Sequence, residues 1–246
     1  MNVRTLLKRA IHGLTGLHIT RTLPFGTDQF QDLRTYFPDH HFRTIFDVGA
    51  NRGQSAVQMR SHFPHATIHC FEPIGATYRE LIGSTKHLDV HCHQIAFGAT
   101  EAEMEIGLKA NTEMNSLREP VVDPASSEKI RVTTLSAFCA SNAIDTIDLL
   151  KVDTEGFDLE VLKGARTLLA REAIGFIEVE AGLGPENTYH VRLEDVRQLL
   201  SVHGYRIFGI YQQTHEWLEK LPVIRRVNVV FVPRKIAASA RGRYVW

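Results

Sequence analysis

Thr44-Ile45-Phe46-Asp47-Val48-Gly49-Ala50-Asn51-Arg52-Gly53 is the stretch from which this chain is best read. An apolar run ends in an acid and a glycine-punctuated turn, and Gln54 to Phe63 continues with helical spacing. That order predicts a buried strand rising to the carboxyl edge of a parallel sheet, then a sharp turn into a helix. Gly49 and Gly53 let the backbone approach a ligand closely, and the helix N-terminus offers N–H groups without intrahelical partners. In open α/β sheets such a strand-to-helix turn faces nucleotide-like ligands. A dinucleotide fingerprint needs G-x-G-x-x-G, whose middle glycine admits a pyrophosphate. Gly49-Ala50-Asn51-Arg52-Gly53 lacks that glycine. Taken alone, the stretch fits a plain βα turn equally well.

Outward from this turn, the pattern alternates strand and helix, which implies right-handed βαβ units. Strands are expected at 44–48, 67–71, 89–96, 146–152, 173–179, 205–210 and 226–232. Helices are expected at 53–63, 75–84, 158–170 and 191–203, the last with Leu193, Val196 and Leu200 on one face. The interval 97–145 interrupts the alternation. Glu103 to Lys109 and Lys129 to Thr134 read as extra strands, joined by a loop that carries Asn115 and Ser116 toward the sheet's carboxyl edge. The expected organisation is an amphipathic helix and connector over 1–41, one α/β domain over 42–234 and a basic tail over 235–246.

At 246 residues, 43% hydrophobic and 23% charged, the chain suits one large globular domain. No apolar run approaches the ~20 residues of a membrane span. Three scattered cysteines, Cys70, Cys92 and Cys139, argue for a reducing compartment, and the N-terminus has no apolar signal segment. A cytoplasmic protein is therefore expected. Net charge is zero but uneven: Arg4, Lys8, Arg9 and Arg21 precede any acid, and six basic residues follow Lys220 without one. The body between is acidic and a poor match for nucleic acid. Only the ends suit an anionic surface. Residues 3–17 form an amphipathic pattern, read first as a docked helix and alternatively as a peripheral membrane contact.

Three acidic segments fall where strands should end. Phe71-Glu72-Pro73 lies roughly 20 residues past the glycine turn, the distance at which a carboxylate holds a ribose diol. Leu150-Lys151-Val152-Asp153-Thr154-Glu155-Gly156 precedes a helix, and Glu178-Val179-Glu180-Ala181-Gly182 closes the next strand. Each alone reads as a loop acid or an N-cap. Their convergence with the glycine turn on one edge is the stronger signal. His91 and His93 share a strand face, with His69 on a neighbouring strand, but no carboxylate or cysteine has motif-like spacing with them, so no metal is assigned.

Asp47-Val48-Gly49-Ala50-Asn51-Arg52-Gly53-Gln54, Phe71-Glu72-Pro73 and Leu150 to Gly156, extended by Leu159-Glu160-Val161-Leu162-Lys163-Gly164-Ala165, resemble the FkbM family of S-adenosylmethionine-dependent methyltransferases. Thr154 and Phe157 stand where that family more often has an aliphatic and a small residue. The resemblance implies a class I, Rossmann-like methyltransferase fold: a mostly parallel seven-stranded sheet, its last strand antiparallel, with helices on both faces. It implies S-adenosylmethionine as cofactor, held by Asp47, Gly49, Asn51, Gly53, Gln54, Glu72 and Pro73, with Ala96 and Phe97 near the adenine. Asp153 is expected near the cofactor's amino group or the reacting centre. Asp153, Glu155 and Glu180 are the candidate catalytic residues, with Glu155 preferred as proton acceptor and Asn115 and Ser116 as substrate contacts. The expected reaction is O-methylation of a sugar, glycan or related metabolite. The rivals are a non-catalytic adenosyl-binding or interaction module and, disfavoured by the glycine spacing, a nicotinamide oxidoreductase. A divalent metal lacks sequence support, and a homodimer is left open.

Overall fold

The structure is a computed structural model that describes residues 3–16, 23–109, 111–216 and 220–240. Of the basic termini, Arg21, Arg241 and Arg243 lie outside the described residues, as does Leu17 of the amphipathic pattern. The helices are α1 (Val3–Thr15), α2 (Gln29–Tyr36), α3 (Gln54–His62), α4 (Gly75–Thr85), α5 (Leu135–Ser141), α6 (Asp158–Gly164), α7 (Arg166–Ala170), α8 (Leu193–Ser201) and α9 (Arg234–Ala237). The strands are β1 (Thr44–Val48), β2 (Thr67–Phe71), β3 (His91–His93), β4 (Ala96–Phe97), β5 (Ala102–Gly107) and β6 (Ser127–Thr133). After these come β7 (Ile147–Val152), β8 (Ile174–Gly182), β9 (Val191–Arg192), β10 (Tyr205–His215) and β11 (Ile224–Pro233).

The main sheet runs β10-β11-β8-β7-β1-β2-β3, with the two-residue β9 beside β8. β11 is antiparallel to both neighbours, while β8, β7, β1, β2 and β3 are parallel. This is the class I methyltransferase arrangement. Side-chain alternation divides each central strand between two cores. Phe46 and Val48 of β1 and Leu150 and Val152 of β7 pack with Leu162, Val196 and Leu200 from α6 and α8. Ile45 and Leu149 face the other way, onto Phe30, Leu33, Ala56 and Met59 of α2 and α3. Buried on both faces, these strands read as near-continuous apolar runs, as parallel strands must.

Several boundaries differ from the sequence reading, each for a local reason. The expected strand 89–96 is only β3; the chain then leaves the sheet, and β4 pairs with β6 in a second, three-stranded sheet. Ala96 and Phe97 therefore belong to the inserted sheet and do not simply follow the third core strand. The expected helix 158–170 breaks at Ala165, just past Gly164, where the chain packs so closely on Gly98 that a Cβ would lie 2.1 Å from the Gly98 carbonyl oxygen. α5 was not anticipated; Thr134 caps it by accepting from the Ala137 N–H at 3.0 Å. α2, by contrast, is the short helix that the sequence suggests around Asp28 to Tyr36 of the connector; it buries Phe30 and Leu33 in the core, with the Asp28 carboxylate accepting from the Gln31 N–H at 2.9 Å. In the segment read as a tail, Ile236, Ala237 and Ala240 pack on the same core. Among the described residues no helix is long and apolar enough to cross a membrane.

Candidate active site at the carboxyl edge of the sheet

A cavity of about 760 Å³ opens where β1, β2, β7 and β8 end. Its floor depends on two glycines. Gly49 has φ +82°, and a Cβ there would lie 1.9 Å from the Asp153 carbonyl oxygen, so only glycine lets the β1 turn pass the end of β7. The N–H groups of Gly49 and Ala50 both donate to the Phe71 carbonyl at 3.0 Å, tying the turn to β2. Gly53, at φ +89°, starts α3 against Leu81 and Thr85, where a Cβ would meet the Thr85 methyl at 2.5 Å.

Beneath this turn a charged row crosses the sheet. Asp47 on β1 is in register with Lys151 on β7, and Lys151 with Glu178 on β8. All three are buried. Lys151 Nζ lies 2.8 Å from Asp153 Oδ2 and 3.9 Å from Asp47 Oδ1. Neither carboxylate oxygen of Asp47 has a hydrogen-bond partner among the described residues. Burial pushes Asp47 up to about 6 in spite of Lys151. Glu178 accepts from Gln29 Nε2 at 3.1 Å and Asn228 Nδ2 at 3.0 Å, and burial pushes it up to about 7. Burial acts to lower Lys151, but Asp153 and Asp47 outweigh it and hold the ammonium above the lysine range. Burial likewise acts to raise Asp153, and Lys151 reverses this, keeping it ionised.

Along the rim, Glu72 accepts from the Ile74 N–H at 3.0 Å, and burial pushes it up to about 7. The turn after β7 is built around Asp158, whose two oxygens each accept at 3.1 Å, from the N–H groups of Thr154 and Gly156. This places Glu155 at φ +54°, a conformation uncommon outside glycine, and Ser116 Oγ donates to its carbonyl at 2.5 Å. Burial, then Asp153 and Asp158, push Glu155 up to about 8. Glu180 is ion-paired with Arg226 and lies 3.0 Å from His190 Nε2.

Gly49, Asn51, Gln54, Glu72, Pro73, Ala96 and Phe97 line the cavity, as do Asn115, Asp153, Glu155 and Glu180. Asp47, Gly53 and Ser116 do not. Asp47 sits in the sheet below the floor, Gly53 packs on α4, and Ser116 lies behind Glu155, acting on its backbone. Asn115 braces its own loop by accepting from the Lys109 N–H at 2.8 Å, while Thr112 Oγ1 donates to Asn51 Oδ1 at 3.4 Å. The insertion thus reaches the glycine turn. Lys151, Tyr189, His190, Arg225 and Arg226 also line the cavity and were not singled out from the sequence. Lys151 and Glu178 carried a usable signal, a charge inside an apolar strand, since such residues are almost never buried unless paired. Arg225 and Arg226 were read with the basic C-terminus, yet they pair inward with Glu216 and Glu180. The histidines of β2 and β3 stack, with His69 Nδ1 3.0 Å from His93 Nε2; burial first, then His93, lowers His69 to about 4.

Comparison with known proteins places the chain in a family. "Methyltransferase 1" of Beauveria bassiana is 26% identical over 153 residues, taking in 52% of this chain and 59% of that protein. The hexuronic acid methyltransferase AglP of Haloferax volcanii is 25% identical over 158 residues, covering 64% of this chain and 61% of AglP. The chain thus spans about six-tenths of the length of these curated relatives. Among solved structures, TrmK of M. capricolum with S-adenosylhomocysteine superposes with a TM-score of 0.47 at 9% identity, over 86% of this chain and 69% of TrmK. The family profile described as methyltransferase FkbM domain matches residues 47–207, from the end of β1 into β10. The chain belongs to the FkbM methyltransferase family.

Proposed function

We propose that this chain is an S-adenosylmethionine-dependent O-methyltransferase acting on a hydroxyl of a sugar, glycan or related metabolite. The observation that carries the reading is the convergence of Gly49, Glu72 and Glu155 on one cavity. The cavity suits an adenosyl cofactor: Glu72 stands at its rim with one oxygen engaged by the Ile74 N–H, and the turn that lines it has no pyrophosphate glycine. Its volume of about 760 Å³ is within the range of small-molecule sites. The buried carboxylates also favour a ligand of net positive charge. Glu72 would hold the ribose, the Gly49–Gln54 turn the methionine end, and Ala96 and Phe97 the adenine side. When bound, the cofactor supplies a methyl group activated on a sulfonium sulfur.

The chain's own task is to align the acceptor oxygen and remove its proton. Glu155 is suited to this: it faces the cavity, and burial with Asp153 and Asp158 gives it a pKa of about 8, in the range a general base needs. Lys151 keeps Asp153 ionised beside it. AglP is named for hexuronic acids, and the cavity here is lined by Arg225 and Arg226, groups able to meet a sugar carboxylate. An acidic sugar hydroxyl is therefore the first acceptor to try. α1, whose Leu6, Leu7 and Leu14 are exposed, would bring the chain to an anionic or membrane-linked acceptor. Incubation with S-adenosylmethionine and uronic-acid glycans, followed by mass spectrometry, tests the reading. Gain of one methyl group on a sugar oxygen is expected; binding of NAD in preference to S-adenosylmethionine would overturn it.

A further inference from the structure

We propose that Glu155, Glu180 and His190 form a divalent-cation site in the wall of the cavity. One oxygen of each glutamate and one ring nitrogen of the histidine lie within 4.8 Å of one another. The histidine sets this group apart from a cluster of acids, because its tautomer is fixed from outside. Asn187 Nδ2 donates to the Arg225 carbonyl at 3.1 Å, which turns Asn187 Oδ1 toward His190. That oxygen accepts from the backbone N–H groups of Tyr189 at 3.3 Å and His190 at 3.2 Å, and lies 3.0 Å from His190 Nδ1. An oxygen can only accept, so His190 Nδ1 carries a proton.

A neutral imidazole then presents its Nε2 lone pair to Glu180 Oε2 at 3.0 Å, one acceptor facing another. Both residues are more than nine-tenths buried, His190 at 6% and Glu180 at 7% exposure, so water screens little of the repulsion. A cation between them, or a second proton on the ring, is needed to make the contact favourable. The other Glu180 oxygen is held by Arg226, which leaves Oε2 free to ligate. Glu155 adds the third ligand.

A ligating histidine that gives its other ring N–H to a carbonyl is the usual outer arrangement of metal sites. Here the Asn187 amide supplies that carbonyl. Two carboxylates and one imidazole suit a cation between the hard and borderline classes, Mn²⁺ or Zn²⁺. All three residues line the cavity, so the coordination sphere opens toward the ligand space. A cation there would acidify an alcohol oxygen bound to it, the proton passing to the Glu155 oxygen that is not a ligand. This role rests on the proposed methyl transfer; the existence of the site does not.

Mn²⁺ added to the metal-stripped chain, followed by paramagnetic resonance of the free ion, tests the site. Calorimetry with S-adenosylhomocysteine runs alongside. One Mn²⁺ per chain is expected. Asn187→Leu should weaken it roughly 10–100-fold, the usual effect of losing an outer partner. His190→Gln and Glu155→Gln should weaken it further. Glu155 is only half-buried, so that variant keeps the test open if His190→Gln misfolds. Equal Mn²⁺ and Zn²⁺ affinity in parent and Glu155→Gln overturns the proposal. So does ¹⁵N spectroscopy showing His190 Nε2 protonated with metal present. Cation binding without S-adenosylhomocysteine binding would instead refute the methyl-transfer reading and leave the site standing.

Discussion

Replacing Asp47 with asparagine keeps the shape of the end of β1 and removes one buried charge. Asp47 is wholly buried, and its nearest cation is Lys151 Nζ, 3.9 Å from Oδ1. At an effective dielectric of about 20, that separation gives about 4 kcal/mol of attraction. Taking an ion out of water costs several kcal/mol, and among the described residues neither oxygen has a hydrogen bond to offset it. Burial wins. The pKa rises to about 6, against about 3.9 in an unfolded chain, which corresponds to about 3 kcal/mol. Between pH ~4 and ~6 the native state binds more protons here than the unfolded chain, so this residue makes stability fall as pH rises through that window. The penalty is absent below the unfolded pKa and complete above the folded one. Asparagine has no charge to desolvate, though its unpaired amide costs about 1 kcal/mol at every pH. Lys151 keeps Asp153 at 2.8 Å and stays charged. Urea denaturation of the ligand-free chain should therefore find Asp47→Asn about 1 kcal/mol less stable than the parent near pH 4 and about 2 kcal/mol more stable near pH 7.5. A difference that stays flat across that range, or moves against the variant, would refute the reasoning.

Other outcomes follow from single contacts. Gly49→Ala should cost about 2–5 kcal/mol in the same denaturation assay, from the left-handed backbone and the collision with the Asp153 carbonyl; a loss below about 1 kcal/mol would show that the turn yields. Glu72→Ala should weaken S-adenosylhomocysteine binding by roughly 1–3 kcal/mol in calorimetry, and unchanged affinity would remove Glu72 from the ribose role. Glu155→Gln should lower turnover ~100-fold with cofactor affinity kept. In the metal-stripped parent, any residual rate should rise with pH and level off above about 8, as Glu155 ionises. Salt-sensitive co-sedimentation with anionic vesicles is expected through α1, and its loss in Leu7→Glu would locate the contact; no binding leaves α1 a packing role.

The fold was legible because its dominant signals are local. Thr44 to Val48 and Ile147 to Val152 are apolar runs of strand length, and Gly49, Gly53 and Gly156 mark turns with positive φ. What failed was set by distant partners. Nothing near Gln94 announces that the chain leaves β2 to pair β4 with β6. Gly164 fits the expected helix, and the need for glycine there comes from Gly98, which lies against it. Leu135 to Ser141 follows β6 with no glycine or proline between them, and only the Thr134 cap marks its start.

The site shows the same division, with charge added to it. Glu72, Asp153, Glu155 and Glu180 meet at one cavity because strands of one sheet end together, so position along the chain gives position in space. Their states were out of reach of the sequence because they depend on which strands are neighbours. Lys151 bears on Asp47 only because β7 lies beside β1 in that register. Asn187 fixes the His190 tautomer only because its amide meets Arg225 on β11. Burial pushes up five carboxyl groups at this edge, Asp47, Glu72, Glu155, Asp158 and Glu178. A fold selected for stability alone would not bury so many acids beside so few cations, since each shift is a cost borne at neutral pH. Of these, Glu72 and Glu155 line the cavity itself. A cationic ligand bound there offsets that cost, and the fold places the need for it at the edge where the proposed cofactor binds.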